Sequence, residues 1–575
     1  MLGPTWQTSP RQYGVTKELD VRIPISDGIT IDADILRPST GDRVPALLSV
    51  HPYNKRLQFD AMMPTGLNMA NGGIEAGDSK FFARRGYAHV VANNRGTGAS
   101  GGCYTNYGPR EVRDTYEVIE WLARQPWCDG KVGMFGVSAF AVSQQQVAAL
   151  KPPHLKAIFT PFGYTDFYRD KFYHGGILSH AFMRGWTKTI DNFRYQSWSL
   201  ARWGQEKYAA AIAEALIDEE ITAVPYLEEA LRHPEKGTHA LLVDILLNRF
   251  DSDYFTERSV DYSAGPEVPA YLGGDWGMYG LHLPGAFRSW AHWNGPKKLI
   301  LGPPCYLDRP VYQYAYESLR WFDYWLKAID NGIMDEPPVN VFLMGTGEWR
   351  TGSDWPLPQT KWTPFYLHEK GLLSEHEFWP NEGATTFEDS FMLRDGLTFT
   401  TPKLLEDTEV IGHIALKLYA STTDTEVLWF VSVYDIGSDD ASKLITRGWL
   451  RGSQREVDAK LSRPWLPVHT HTRRQALTPN EIYDFDIEVR PMAQMFKAGH
   501  RIAIKIRCVD DEKPTCFPDL VGAGHLWRQA GSRVTVYHNE DYPSHLLLPI
   551  TKGNIIGTFM SGGKTSAEFF PYRMY

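Results

Sequence analysis

Gly130–Leu150 reads GKVGMFGVSAFAVSQQQVAAL, and most of the fold can be worked out from it. Lys131 to Phe135 is a short apolar run with the character of a buried strand. Gly136-Val137-Ser138 makes a sharp turn, and from Ala141 onward the Gln- and Ala-rich stretch predicts a helix. A strand, a tight turn with Ser at its apex and a helix are the parts of a nucleophile elbow. Such a turn presents the Ser hydroxyl at the carboxyl edge of a parallel sheet. The helix amino terminus behind it can stabilise a developing oxyanion. The usual pattern is G-x-S-x-G, and here Phe140 occupies the fifth position, so the surrounding sequence must carry the rest of the argument.

Upstream, Val15 to Pro38 alternates apolar and polar residues around Asp27-Gly28 and predicts a β-hairpin. Ala46 to Val50 and Tyr87 to Ala92 predict buried strands, and the first runs into His51-Pro52-Tyr53-Asn54-Lys55. The Gly-rich loop Asn94–Gly102 lacks the Lys-Ser/Thr of a phosphate-binding loop. Glu111 to Gln125 is an amphipathic helix. Strands alternating with helices predict a doubly wound parallel sheet, so the class is α/β. Downstream, Phe167 to about Phe250 turns aromatic and then helical, and reads as an insertion. Ala270–Gly273 and Lys298–Gly302 resume the strands, and Glu317–Ala328 is a further helix. Beyond about Gly345 short alternating runs such as Ile414–Tyr419 and Arg501–Ile506 predict a β-sandwich, of jelly-roll type. The expected division is 1–165 and 251–345 for the α/β core, 166–250 for the helical insertion and 346–575 for the sandwich.

Composition narrows the function. A chain of 575 residues needs more than one core. Its formal charge of −9 argues against nucleic acid or an anionic membrane as partner. No apolar run is long enough to span a membrane, and MLGPTWQTSPRQYG has no signal-peptide core, so a cytoplasmic location is expected. Five scattered Cys without C-x-x-C spacing predict neither a disulfide framework nor a zinc site. No metal or organic cofactor is implied. Phe167, Tyr168, Phe172, Tyr173, His174, Phe182, Trp186, Trp198 and Trp203 in the insertion suit a small apolar or aromatic ligand, and equally suit packing of the insertion on the core.

HPYNK at His51, NNRGTGASGG at Asn93, QPWCDGKVGMFGVS at Gln125, MGTGEWRTGSDWPLP at Met344, AGHRIAIKI at Ala498 and SHLLLPI at Ser544 together resemble the cocaine esterase and X-prolyl dipeptidyl-peptidase group of α/β-hydrolases. The resemblance runs in order along nearly the whole chain. It implies a serine hydrolase of esters or amides, with an α/β-hydrolase core, a helical cap and a jelly-roll domain. It also implies Ser138 as nucleophile, with Tyr53 O–H and the Ala139 backbone N–H as oxyanion donors. Oligomerisation, as a homodimer, suits such an architecture, although no stretch demonstrates it.

The departures from the family pattern concern the other two triad positions. Aligned through Leu283-Pro284-Gly285, the family's acid falls on Gly280, and the available carboxylate, Asp275, lies a few residues earlier. The family's His follows a Gly-Pro-Trp-Ser segment. Here Gly302-Pro303-Pro304-Cys305 leads to Tyr306. A Ser hydroxyl needs a base to take its proton, and positioned acid–base catalysis contributes about 10² to 10⁴ in rate. His282, His51 and Tyr306 are the candidates for that base. Two chemistries follow for the pocket's small-molecule substrate. One is ester, thioester or amide cleavage through Ser138 with an unusual base. The other is a non-hydrolytic cyclisation, isomerisation or elimination on a hydrolase scaffold, with plain binding of a small molecule as its limiting case.

Overall fold

The Asp27-Gly28 alternation forms an antiparallel hairpin, β1 (Val15–Pro24) and β2 (Thr30–Pro38), with Gly28 at φ 88° in the turn. In the computed structural model, which describes residues 7–53, 55, 75–189, 193–304, 314–377, 382–510 and 524–553, this hairpin edges a ten-stranded sheet. The next strands are β3 (Val44–His51), β4 (Ala88–Asn93), β5 (Cys128–Phe135) and β6 (Leu155–Pro161). A two-residue ribbon, β7 (Tyr173–His174) with β8 (Ile177–Leu178), lies in the insertion. The large sheet resumes with β9 (Ala270–Asp275), β10 (Lys297–Gly302), β11 (Val339–Leu343) and β12 (Glu348–Gly352). Its order is β1-β2-β4-β3-β5-β6-β9-β10-β11-β12, and the run from β4 to β11 is parallel. The first sheet therefore continues past Gly345 through one more antiparallel strand.

Period-two alternation along β5 sends side chains to both faces. Val132 and Met134 share a core with Val118 and Ile119 of helix α2 (Pro109–Ala123), with α1 (Ser79–Ala83) preceding it, and with Val147 of α3 (Ala139–Ala149). On the other face Gly133 has no side chain because Phe322, on the helix Tyr314–Lys327, lies against it. A Cβ there would sit 2.9 Å from that ring. Helices on both faces and parallel strands place the carboxyl ends of β3, β5, β6, β9 and β10 along one edge, where doubly wound folds bind ligands.

The insertion is helical, with helices at Trp198–Ala215, Pro225–Arg232 and His239–Leu247 among others. Buried Asp244 fixes it. Its carboxylate accepts from Tyr195 O–H at 2.7 Å, Ser197 Oγ at 2.8 Å and the N–H groups of Trp198 and Ser199 at 2.7 and 3.0 Å. The insertion opens with a single π-helical turn, Phe167–Phe172.

The C-terminal region is a β-sandwich of eleven strands between Lys361 and Lys552. The sheet doubles back, so that strand His545–Lys552 pairs with both Lys361–His368 and Thr408–Thr422. The sandwich grips the insertion closely. Arg169 donates to the carbonyls of His469 at 2.8 Å and Thr470 at 3.2 Å, and Arg490 donates back to the Arg169 carbonyl at 3.0 Å. Gly175 (φ 53°) lies so near the Trp449 carbonyl that a Cβ would come within 2.0 Å of it. Among the described residues no helix is long and apolar enough to cross a membrane.

Candidate active site

Ser138 stands between β5 and α3 with φ 57° and ψ −120°, a backbone conformation that is uncommon and strained for a residue with a Cβ. Gly136, at φ 134°, packs under Phe140, and a Cβ there would meet the Phe140 Cβ at 2.5 Å. The turn is held from outside by the N–H of Val137, which donates to the Glu75 carbonyl at 3.1 Å. Ser138 is 8% exposed and does not cap its own helix. Helix α3 begins at Ala139, two residues earlier than its composition predicts. The Ala139 amide consequently sits at the helix head, where N–H groups have no intrahelical partner. The three glutamines behind it are buried ties. Gln144 donates to the Gly136 carbonyl at 2.9 Å, Gln145 to Thr160 Oγ1 at 3.1 Å and Gln146 to the Arg258 carbonyl at 2.6 Å.

Tyr53, after β3, packs against the cluster of Ala76, Val91 and Phe140. Its hydroxyl accepts from Trp186 Nε1 at 3.4 Å. Desolvation, then the nearby Glu75 carboxylate and Tyr164, hold the phenol well above its ordinary value. It therefore stays protonated, as an oxyanion donor must. His51 is fully buried, stacks on Phe140 with centroids 4.6 Å apart, and has no partner for either ring nitrogen among the described residues. Burial holds it down to about 3.

Asp275 ends β9 and is fully buried. It pairs in register with Gly302 of β10, and its Oδ1 accepts from the Gly277 N–H at 2.9 Å. Gly277 in turn lies against Pro304. The acid is therefore beside the chain that leads to position 306. Tyr306 itself lies outside the described residues. His282 heads the helix Leu283–His292 and is 1% exposed, its ring stacked on Tyr164 at 5.7 Å and edge-on to Phe162 at 6.1 Å. Burial, then the neighbouring Lys171, depress it to about 3, so it is a neutral and weak base.

Phe162, with φ 64°, carries the chain from β6 over the sheet edge into Gly163 and Tyr164. There Gly163 lies against the first turn of α3, where a Cβ would be 3.5 Å from Ala141 Cβ. Tyr164 O–H accepts from Lys171 Nζ at 3.0 Å. Lys171 lies in the π-helical turn, is 1% exposed, and has its Nζ 3.8 Å from the centre of the Trp186 ring. Sequence reasoning misses Lys171, Tyr164 and Glu75 as site residues. A lysine amid aromatics, RDKFYH, was the one local signal for the first of these. Among the described residues no group of three or more His, Cys, Asp or Glu is arranged to hold a metal ion.

Two family models match in tandem. One is the X-Pro dipeptidyl-peptidase (S15 family), over residues 27–304, and the other is the X-Pro dipeptidyl-peptidase C-terminal non-catalytic domain, over residues 331–545. Cocaine esterase of Rhodococcus sp. (strain MB1 Bresler) is 25% identical, covering 93% of this chain and 98% of its own. A putative Xaa-Pro dipeptidyl-peptidase of Bacillus anthracis is 22% identical, covering 91% and 84%. In three dimensions the chain is similar to a CocE/NonD family hydrolase from Staphylococcus aureus, with a TM-score of 0.76 at 24% identity, covering 95% of this chain and 99% of that one. With an elbow at Ser138 in a doubly wound sheet, a helical insertion over the sheet edge and a sandwich behind it, the chain belongs to the cocaine esterase and X-Pro dipeptidyl-peptidase family of α/β-hydrolases.

Proposed function

We propose that this protein cleaves an ester, thioester or amide bond of a small apolar or aromatic molecule through Ser138. The observation that carries this reading is the strained Ser138 backbone at the head of α3, with the hydroxyl uncommitted to its own helix. Strain of this kind persists where a site is organised around it. The oxyanion formed on attack would be held by the protonated Tyr53 phenol and the Ala139 N–H. The insertion's aromatic side chains, Trp186 among them, suit an apolar acyl or leaving group. The imidazole that usually activates such a serine has no counterpart at position 306, where the chain has Tyr. That substitution also supports a second reading, in which the same pocket uses its phenols for a non-hydrolytic cyclisation, isomerisation or elimination.

Intact-mass labelling with a fluorophosphonate separates the two. Hydrolysis through Ser138 predicts a one-to-one adduct on the wild type that Ser138→Ala abolishes. A folded wild type that takes no label refutes it and leaves the non-hydrolytic reading.

A further inference from the structure

Lys171 is placed where a surface lysine never is. Its Nζ lies inside a cage of aromatic rings, 3.8 Å from the centre of Trp186, 4.8 Å from Tyr164, 4.9 Å from Phe172, 5.1 Å from Phe167 and 5.4 Å from Tyr107. Among the described residues its one hydrogen bond goes to Tyr164 O–H. The groups that face it come from four further elements. They are Tyr107 before α2, Tyr164 after β6, His282 at the head of its helix, and Arg258, whose charge acts on the amine. Burial, and then Arg258, hold the amine well below its ordinary value, which favours the uncharged form with its lone pair. The cage gives a proton that arrives there a compensating environment, because the faces of aromatic rings attract an ammonium.

The same cage adjoins the elbow. Trp186, which forms one wall of it, donates to the hydroxyl of Tyr53. Tyr164, its polar wall, follows Gly163, which packs on α3 beside Gln145 and Ala141, and its charge state acts on the Tyr53 phenol. We infer that Lys171 and Tyr164 act as a pair to take up the proton of Ser138, in place of the missing imidazole. This assignment rests on the hydrolytic reading above. As Ser138 Oγ bonds to the acyl carbon, its proton passes to the Tyr164 oxygen while the phenolic proton of Tyr164 passes to the Lys171 lone pair. The carbonyl π electrons move to the oxygen held by Tyr53 and Ala139. When the bond to the leaving group breaks, the Lys171 ammonium returns a proton through Tyr164 to that group. Water repeats the cycle to free the acyl chain, and Lys171 ends uncharged. In this scheme Tyr164 is the group that meets the Ser138 proton, and Lys171 acts through it.

The test is the second-order rate of fluorophosphonate labelling at Ser138 as a function of pH, in the full chain, for the wild type, Lys171→Met and Tyr164→Phe. Methionine fills the cage without a lone pair that can hold a proton at these pH values, and thermal melting reports that the fold is kept. The wild-type rate should fall at low pH as the pair becomes protonated. Lys171→Met should label about 100-fold more slowly or worse, and that acidic limb should disappear. Tyr164→Phe, which removes a single oxygen, should do the same, and it decides the matter if Lys171→Met does not fold. A folded Lys171→Met, or Tyr164→Phe, that labels within about threefold of wild type with the same acidic limb overturns the assignment. A wild type that does not label overturns the Ser138 reading itself, and the two failures are told apart by that control.

Discussion

Lowering the pH from 8 to 5.5 should destabilise this protein by more than about 4 kcal/mol, and the histidines are the reason. His51, His89, His282, His413 and His469 are fully buried, and burial holds each down to about 3 from an ordinary 6.5. In the folded chain they stay neutral at pH 5.5, whereas in the unfolded chain each is about 90% protonated. The unfolded state then binds more protons, so stability falls as the pH drops below 6.5, by about 1.4 kcal/mol per histidine at pH 5.5 and about 7 kcal/mol for the five. His180 and His368, held down to about 4, and His174 and His471, held well below the ordinary value, add to the loss. Two buried acids oppose this. Burial pushes Glu111 up to about 7 and Asp389 up to about 6. The folded state holds protons on them that the unfolded state has released. Acidification therefore favours folding by about 2 kcal/mol through Glu111 and about 0.8 kcal/mol through Asp389. The histidines win. Calorimetric unfolding at pH 5.5 in buffers of different ionisation enthalpy should show a net uptake of more than about three protons. No uptake, or a net release, would mean that these rings are not held neutral and would refute the reasoning.

Other expectations follow from single contacts. Tyr53→Phe removes one oxyanion donor while the Ala139 N–H remains, so kcat on an activated ester should fall by about 10² to 10³, and unchanged turnover would exclude Tyr53 from the chemistry. Lys55 is 2% exposed and lies 2.9 Å from Asp20 and 3.1 Å from Asp32, with Asp34 closer still. Lys55→Met strands these carboxylates and should lower stability by about 3 to 5 kcal/mol, seen as a lower melting temperature that partly recovers on acidification.

The elbow was legible in the sequence because everything that defines it is local. Strand, turn and helix follow within twenty residues, and Gly136 and the serine announce the turn. The parallel sheet was legible for a similar reason, since buried strands of β-branched and aliphatic residues alternate with helices. The proton-handling groups were not. Lys171 owes its character to rings at 107, 164, 167, 172 and 186, which chain topology brings together from three separate segments. His51 and His282 drew notice as bases for their positions near the two loops. Their burial is what makes them weak ones, and that depends on Phe140, Phe162 and Tyr164 packing over them. The burial of helix α3 was not legible either: each of its three glutamines is spent on a buried carbonyl or hydroxyl.

The π-helical turn Phe167–Phe172 belongs to both halves of the molecule at once. Its Lys171 points into the aromatic cage, while its neighbour but one, Arg169, is tied to the carbonyls of His469 and Thr470 in the sandwich. The turn works like a lintel, carrying on one side the load of the sandwich and on the other the amine in its cage, so a change in the 467–472 loop bears on Lys171 through Arg169 rather than through a ring of the cage.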